Sequence, residues 1–176
     1  MNVIETDRLF IRWLSIDDAE FILDLLNQPS FLHFIGDRGV RTLDDARDYI
    51  LKGPIASYEC FGFGLYLTAL KESGIPIGIC GLVKRESLED VDVGFAFLPQ
   101  FWSKGYTSES ASAVMAYGKS ALGLNRIVGV TSAENYGSIR VLEKLGLRFA
   151  KMVRLSADGP ELKLFTLTGT RPRGAG

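Results

Sequence analysis

The chain has 176 residues, 47% of them hydrophobic, with 20 Lys and Arg against 21 Asp and Glu for a formal net charge of −1. That length and apolar content suffice for one sizeable core and predict a single domain over residues 1–176. The balanced charge argues against a nucleic-acid footprint or an acidic tail. The opening MNVIETDRLF lacks the apolar run of a signal peptide and no stretch reaches membrane-spanning length, so a cytoplasmic protein with no membrane partner is expected. Cys60 and Cys80 lack metal-ligand spacing, which predicts reduced thiols and no metal.

In chain order, Arg8 to Leu14 reads as a first strand, with Leu9, Ile11 and Trp13 on one face. Ser15-Ile-Asp-Asp18 has capping-box spacing, Asp standing in for Glu, and predicts a helix to about Asn27 with Phe21, Ile22, Leu25 and Leu26 inward. Ser30 to Arg41 reads as irregular, rich in aromatics, and holds the single histidine, His33. Thr42-Leu-Asp-Asp45 repeats the cap and predicts a second helix stopped by Gly53-Pro54. Phe63 to Leu70 and Ile77 to Val83 read as strands joined at Gly74 by a hairpin turn.

The stretch VDVGFAFLPQFWSKGYTSESAS, from Val91 to Ser112, carries the first chemical signal. It reads as a strand from Val91 to Leu98 closed by Pro99, a turn containing Gly105, and an amphipathic helix with Ala111, Val114, Met115, Gly118 and Leu122 on one face. Unpartnered first-turn N–H groups and the positive end of the helix dipole make such a turn an anion site. Arg126 to Thr131 follows as a β-branched strand, then a helix over Asn135 to Leu145, buried through Ile139, Leu142 and Leu145 and ended by Gly146. Two strands, around Leu147 to Arg154 and Leu162 to Thr168, complete the sheet, and a frayed tail is expected over about 169–176. There is no G-x-x-x-x-G-K-[ST] motif for a P-loop.

Trp102, Lys104, Gly105, Tyr106 and Glu109 resemble motif A of the GNAT acetyltransferases, most closely the W-G-K-G-Y-A-T-E-A form of the Rim-type ribosomal-protein N-terminal acetyltransferases, with Ser103 and Thr107 replacing small residues. The block from Asn135 to Leu147 resembles the same branch's N-x-x-S-x-x-V-L-E-K-L-G-F. With the initial TDRLFIR and the final DGPELKLFTLT, the resemblance spans nearly the whole chain. It implies an α/β (α+β) fold with a mixed, mostly antiparallel sheet, helices on both faces, and two strands splayed at a cofactor cleft.

The resemblance also implies acetyl-CoA as donor, a primary amine as acceptor, and a monomer or homodimer. Acetyl transfer needs a donor holder, a neutral amine and hydrogen-bond donors for the developing oxyanion. By resemblance the turn Trp102, Ser103, Lys104, Gly105, Tyr106 and Thr107 holds the pyrophosphate, and the backbone of Phe97 and Leu98 holds pantetheine or the acetyl carbonyl. Asn135 is the side-chain candidate for pantetheine, and Lys104 and Arg140 are candidates for the phosphates. Many family members carry a tyrosine acid at the position of Leu142; the Rim-type branch has instead the serine of N-x-x-S, so the resemblance implies Ser138 as acid, and it implies Asp92 as base because that branch often carries Glu at this place in the motif A strand. His33 lies with Phe34 in the region that, by the resemblance, forms part of the acceptor wall, and an imidazole there is a second candidate for the base. A protein N-terminal α-amine is the expected acceptor; a small amine such as an antibiotic or polyamine, or a CoA-binding sensor without turnover, are the alternatives.

Overall fold

The structure, a computed structural model, describes residues 2–167. Thr168 and the expected tail lie outside the described residues. An eight-stranded sheet runs in the order β1-β2-β3-β4-β5-β6-β8-β7, from β1 (Asn2–Glu5), β2 (Leu9–Trp13), β3 (Leu65–Leu70), β4 (Pro76–Val83), β5 (Val91–Phe97), β6 (Ile127–Thr131), β7 (Leu147–Arg154) and β8 (Glu161–Leu167). Every neighbouring pair is antiparallel except β5 and β6, which are parallel. The strand β1, too short to stand out from the sequence, pairs with β2 at the edge.

Both predicted caps form. Asp18 accepts from the Ser15 amide at 2.9 Å, and a 3-10 turn over Ile16–Asp18 runs into α1 (Ala19–Leu26). The Thr42 hydroxyl accepts from the Asp45 amide at 3.1 Å while the Asp45 carboxylate accepts from the Thr42 amide at 3.0 Å, opening α3 (Leu43–Ile50).

Two local expectations fail for identifiable reasons. Pro29 occupies the first helical position, where a missing N–H costs no helical bond, so the stretch expected to be irregular contains α2 (Pro29–Phe34). Gly53-Pro54 does not stop the second helix: the chain widens into a π turn over Leu51–Ile55, which accommodates the proline ring, and continues as α4 (Ala56–Phe61). The stop comes at Gly62, whose φ of 79° is the left-handed conformation glycine adopts most cheaply.

One sheet face packs Ile22, Leu25, Leu26, Ala46 and Ile50 of α1 and α3 against Leu67, Ile79 and Leu98. The other packs Ala111, Val114 and Met115 of α5 (Tyr106–Ser120) and Leu142 of α6 (Tyr136–Lys144) against Leu82, Val93, Ile127 and Phe165. Strand β5 supplies both layers, Val91, Val93 and Phe97 to the α5 side and Leu98, just past its end, to the α1 side. Where β5 meets β6 only Val91↔Ile127 and Asp92↔Val128 are paired, so the two strands part beyond Asp92, as the resemblance implied.

Candidate active site

The slit between the diverging ends of β5 and β6 opens onto the start of α5. A 3-10 turn over Pro99–Phe101 leads to Trp102, whose amide donates to Pro99 O at 3.1 Å. The first backbone bond of the helix is Glu109 N to Gly105 O at 3.0 Å. Between those two points the N–H groups of Ser103, Lys104, Gly105, Tyr106, Thr107 and Ser108 have no protein acceptor among the described residues. They are concentrated at the N-terminus of a 15-residue helix, which is the arrangement that binds a phosphate or pyrophosphate. Gly105 at φ 83° and Ser103 at φ 61° give the turn its curl.

The turn is held from below by the chain's beginning. Arg8 Nε lies 2.6 Å from Glu109 Oε2, and its Nη1 donates to the Lys104 carbonyl at 3.0 Å. Glu109 Oε1 also accepts from the Thr6 hydroxyl at 2.7 Å and the Arg8 amide at 3.0 Å. The Arg8 guanidinium lies 4.4 Å from the centroid of the Tyr106 ring. Partial burial pushes the Glu109 carboxyl up, but the bonds from Thr6 and Arg8 outweigh it and hold the group below the usual carboxylate range.

Along the open edge of β5 the sequence expectation narrows. The Leu98 amide donates to Ile77 O in β4 at 2.9 Å and its carbonyl accepts from the Phe101 amide at 3.0 Å, so neither group is available to pantetheine. Because successive residues of a strand direct their backbone groups to opposite neighbours, the groups of Phe97 and Phe95 face the slit. The Phe97 carbonyl already accepts from Trp102 Nε1 at 2.9 Å. What remains is the Phe97 N–H and both groups of Phe95, a residue the sequence reading missed because alternation alone does not say which parity faces the slit.

Across the slit, Asn135 caps α6, its Oδ1 accepting from the Ser138 amide at 3.1 Å, which leaves its NH2 as a donor. The Ser138 hydroxyl is not the cap and makes no hydrogen bond to protein among the described residues. Asp92, at the last paired position, is 2% exposed. Its Oδ2 accepts from Arg85 Nε at 3.2 Å and its Oδ1 has no partner. Burial raises the carboxyl above its ordinary value, and Arg85 only partly offsets that.

Residues 8–148 match the acetyltransferase (GNAT) domain family. The chain belongs to the GNAT acetyltransferases. An uncharacterized N-acetyltransferase of Bacillus subtilis, YoaA, is 30% identical over 154 residues, 86% of each chain. A GNAT-family acetyltransferase from Bacillus anthracis superposes with a TM-score of 0.77 at 26% identity, covering 93% of this chain and 96% of that one. RimL, a ribosomal L7/L12 alpha-N-protein acetyltransferase solved with coenzyme A, shares the fold at a TM-score of 0.80 and 15% identity, covering 94% and 97%. The protein is thus an acyltransferase of a fold that binds acetyl-CoA or CoA, and the Rim-type folds anticipated from sequence are among its structural neighbours.

In this GNAT protein Leu142 is buried and packs on β6, where a Cβ added at Gly129 would lie 2.4 Å from its Cδ2; the position is core, with no room for an acid. Lys104 and Arg140 are exposed, and the Lys104 ammonium lies 6.0 Å from the Phe101 ring centroid. His33 and Phe34 sit together at the end of α2, edge to face with centroids 4.7 Å apart. Sequence reasoning gave no role to Thr6, Arg8 or Glu109, although it quoted the motifs that contain them. It also missed Ser132, whose buried hydroxyl, just past the end of β6, has no partner.

Proposed function

We infer that this GNAT enzyme acetylates an α-amine, that of a protein or peptide N-terminus, with the donor seated on the turn from Trp102 to Thr107 and along β5. The observation that carries the reading is the run of unpartnered N–H groups from Ser103 to Ser108 beside the open edge of β5. Those amides take the pyrophosphate, the Phe95 and Phe97 backbone lies along pantetheine, and the Asn135 NH2 donates to one of its amides. Acetyl-CoA supplies the activated acyl carbon and the thiolate leaving group.

Asp92 takes the proton from the ammonium form of the acceptor. At roughly 3.3 Å per residue, Asp92 stands about 10 to 17 Å along the strand from the Phe95 and Phe97 backbone, so it works through a chain of waters, for which the unpartnered Oδ1 is a fitting anchor. As the nitrogen–carbon bond forms and the carbon–sulfur bond breaks, Ser138 gives its hydroxyl proton to the sulfur and regains one from the acylated nitrogen, which leaves the neutral amide and the free thiol.

The acceptor class follows from how little base this set supplies. A lysine ε-amine has a reference pKa of about 10.4 and an α-amine about 7.7 to 8.0, so neutralising them at pH 7 costs about 4.6 and about 1 to 1.4 kcal/mol respectively. The difference of about 3 kcal/mol is worth on the order of a hundredfold in rate. RimL, whose fold this chain shares, is named for an alpha-N-acetylation, which agrees with that preference.

The test is competition at pH 7 between a peptide with a free N-terminus and its N-terminally blocked, lysine-bearing twin, with a panel of small amines alongside. The free α-amine is expected to be acetylated preferentially. A preference for the blocked twin, or for a polyamine over both, overturns the acceptor assignment.

A further inference from the structure

We propose that Arg8, acting with Glu109 and Thr6, is a positioning residue for the donor. It locks the pyrophosphate turn in its binding shape from outside, through the Lys104 carbonyl and the first turn of α5. This rests on the turn being the donor site, as proposed above, and extends it to residues about a hundred positions away in sequence, the separations being 101 for Arg8 to Glu109 and 103 for Thr6 to Glu109.

The turn has a problem that the clamp solves. Its binding groups are backbone amides whose directions depend on Ser103 and Gly105 holding positive φ, and the amides from Ser103 to Ser108 make no internal hydrogen bonds that would keep them there. A cradle of free amides is therefore soft unless something outside it fixes the carbonyls. Arg8 does this at two points with one rigid fork, Nε to Glu109 Oε2 at 2.6 Å and Nη1 to Lys104 O at 3.0 Å. Planarity of the guanidinium sets the spacing between those points, which a lysine cannot do. Glu109 is held in turn by the Thr6 hydroxyl and the Arg8 amide, so both of its oxygens are engaged. Tyr106 forms the floor under the guanidinium, which assigns its side chain to the clamp. Gly105 completes the fit: a Cβ there would stand 3.2 Å from Arg8 Nη2. The two sequence blocks TDR and GYTSE thus describe one structural unit. The clamp also leaves the turn's amides untouched, because the groups it engages on the turn and helix are the Lys104 carbonyl, the Glu109 carboxylate and the Tyr106 ring.

The experiment compares equilibrium affinities for CoA and for pantetheine, which lacks the pyrophosphate, in wild type and in Arg8→Met, Arg8→Lys, Thr6→Val and Glu109→Gln. Folding is checked by circular dichroism. Wild type is expected to prefer CoA strongly. Arg8→Met and Glu109→Gln are each expected to lose on the order of tenfold to a hundredfold in CoA affinity, the scale of one or two charge-assisted hydrogen bonds, and to reduce the preference for CoA over pantetheine. Arg8→Lys restores less than half of the loss on a logarithmic scale, and Thr6→Val, which keeps the fork, gives the smallest effect. Equal losses for both ligands mean that Arg8 only supports the fold, and overturn the proposal. So does a loss in Arg8→Met without one in Glu109→Gln, because Arg8 then acts by its charge and not by holding the turn. A wild type indifferent to the pyrophosphate removes the turn as donor site, and this proposal with it, whereas a normal wild-type preference retained by all variants removes the clamp alone.

Discussion

Glu109 in the first turn of α5 and Asp92 in β5 are both carboxylates with hydrogen-bonded arginine partners, yet their environments run in opposite directions. Glu109 accepts hydrogen bonds from two residues and is held below the ordinary carboxylate range. Asp92 is more deeply buried, has one ionic partner and one orphaned oxygen, and is pushed above that range. A carboxylate whose charge the fold welcomes contributes stability, and one whose charge the fold resists lowers it. On the proposed function, the turn is a rigid holder for the donor, whereas Asp92 is a base whose charge is kept at a cost in stability.

The largest effect expected from the holder is in Gly105→Pro. At φ 83° the position is closed to proline, which requires a φ near −65° and removes one of the cradle's amides. CoA binding is expected to fall below detection in calorimetry while the sheet remains folded. Retention of wild-type affinity in a folded Gly105→Pro protein would break the comparison at its donor end.

Next in size are Asp92→Asn and Ser138→Ala, read against Glu109→Gln. Loss of a general base or acid costs typically about 10² to 10⁴ in rate, so Asp92→Asn is expected to lower kcat/KM on that scale with CoA affinity kept. Ser138→Ala lowers kcat more than donor affinity, since thiolate charge develops only in the transition state. Because the Asp92 carboxyl is raised, the acid limb of the wild-type rate profile lies above about 3.9, the ordinary aspartate value, and Asp92→Asn loses that limb. The stability signs are opposite for the two carboxylates. With Asp92 raised on folding, the folded state binds its proton more tightly, so stability falls as pH rises from the unfolded value to the folded one and stays lower above it. Glu109, depressed on folding, stabilises above its unfolded value, and that contribution is lost as pH falls through the folded one. At pH 7, Asp92→Asn should therefore melt no lower than wild type and Glu109→Gln should melt lower, the latter gap closing toward acid. Thermal melts across pH check both, and a lower Tm for Asp92→Asn means that the Arg85 pair outweighs burial.

The same contrast explains what could be read from the chain alone. The fold was legible where a local rule decides it, as at Ser15, Thr42, Pro99 and Gly146, and misread after Pro29, which opens a short helix where an irregular stretch was expected, and at Pro54, expected to stop a helix that instead continues through a π turn. The turn was legible because a glycine between a strand and an amphipathic helix describes its own geometry. The clamp was not, since nothing local ties Arg8 to Glu109. Phe95 and Leu98 exchanged roles because strand parity depends on which neighbour a strand pairs with, and Arg85 and Ser132 needed the sheet before their positions meant anything.

The smallest expected effect is the sharpest test of whether the turn binds through its backbone. Ser103 is the one non-glycine residue with positive φ among the described residues, at 61°. For an L side chain that conformation costs roughly 1 to 2 kcal/mol, while glycine costs about 0.5 to 1 kcal/mol through the freedom it loses on folding. Ser103→Gly should therefore be neutral to mildly stabilising, by about 0 to 1 kcal/mol, a rise of at most about 4 °C in Tm for a chain of this length. The substitution keeps the amide and deletes only the hydroxyl. CoA affinity should consequently change by less than about threefold, a shift of roughly 0.7 kcal/mol. If affinity falls by more than about tenfold in a stable Ser103→Gly protein, the hydroxyl itself grips the phosphates. The serine would then be retained, despite the strain, for a bond the backbone cannot make.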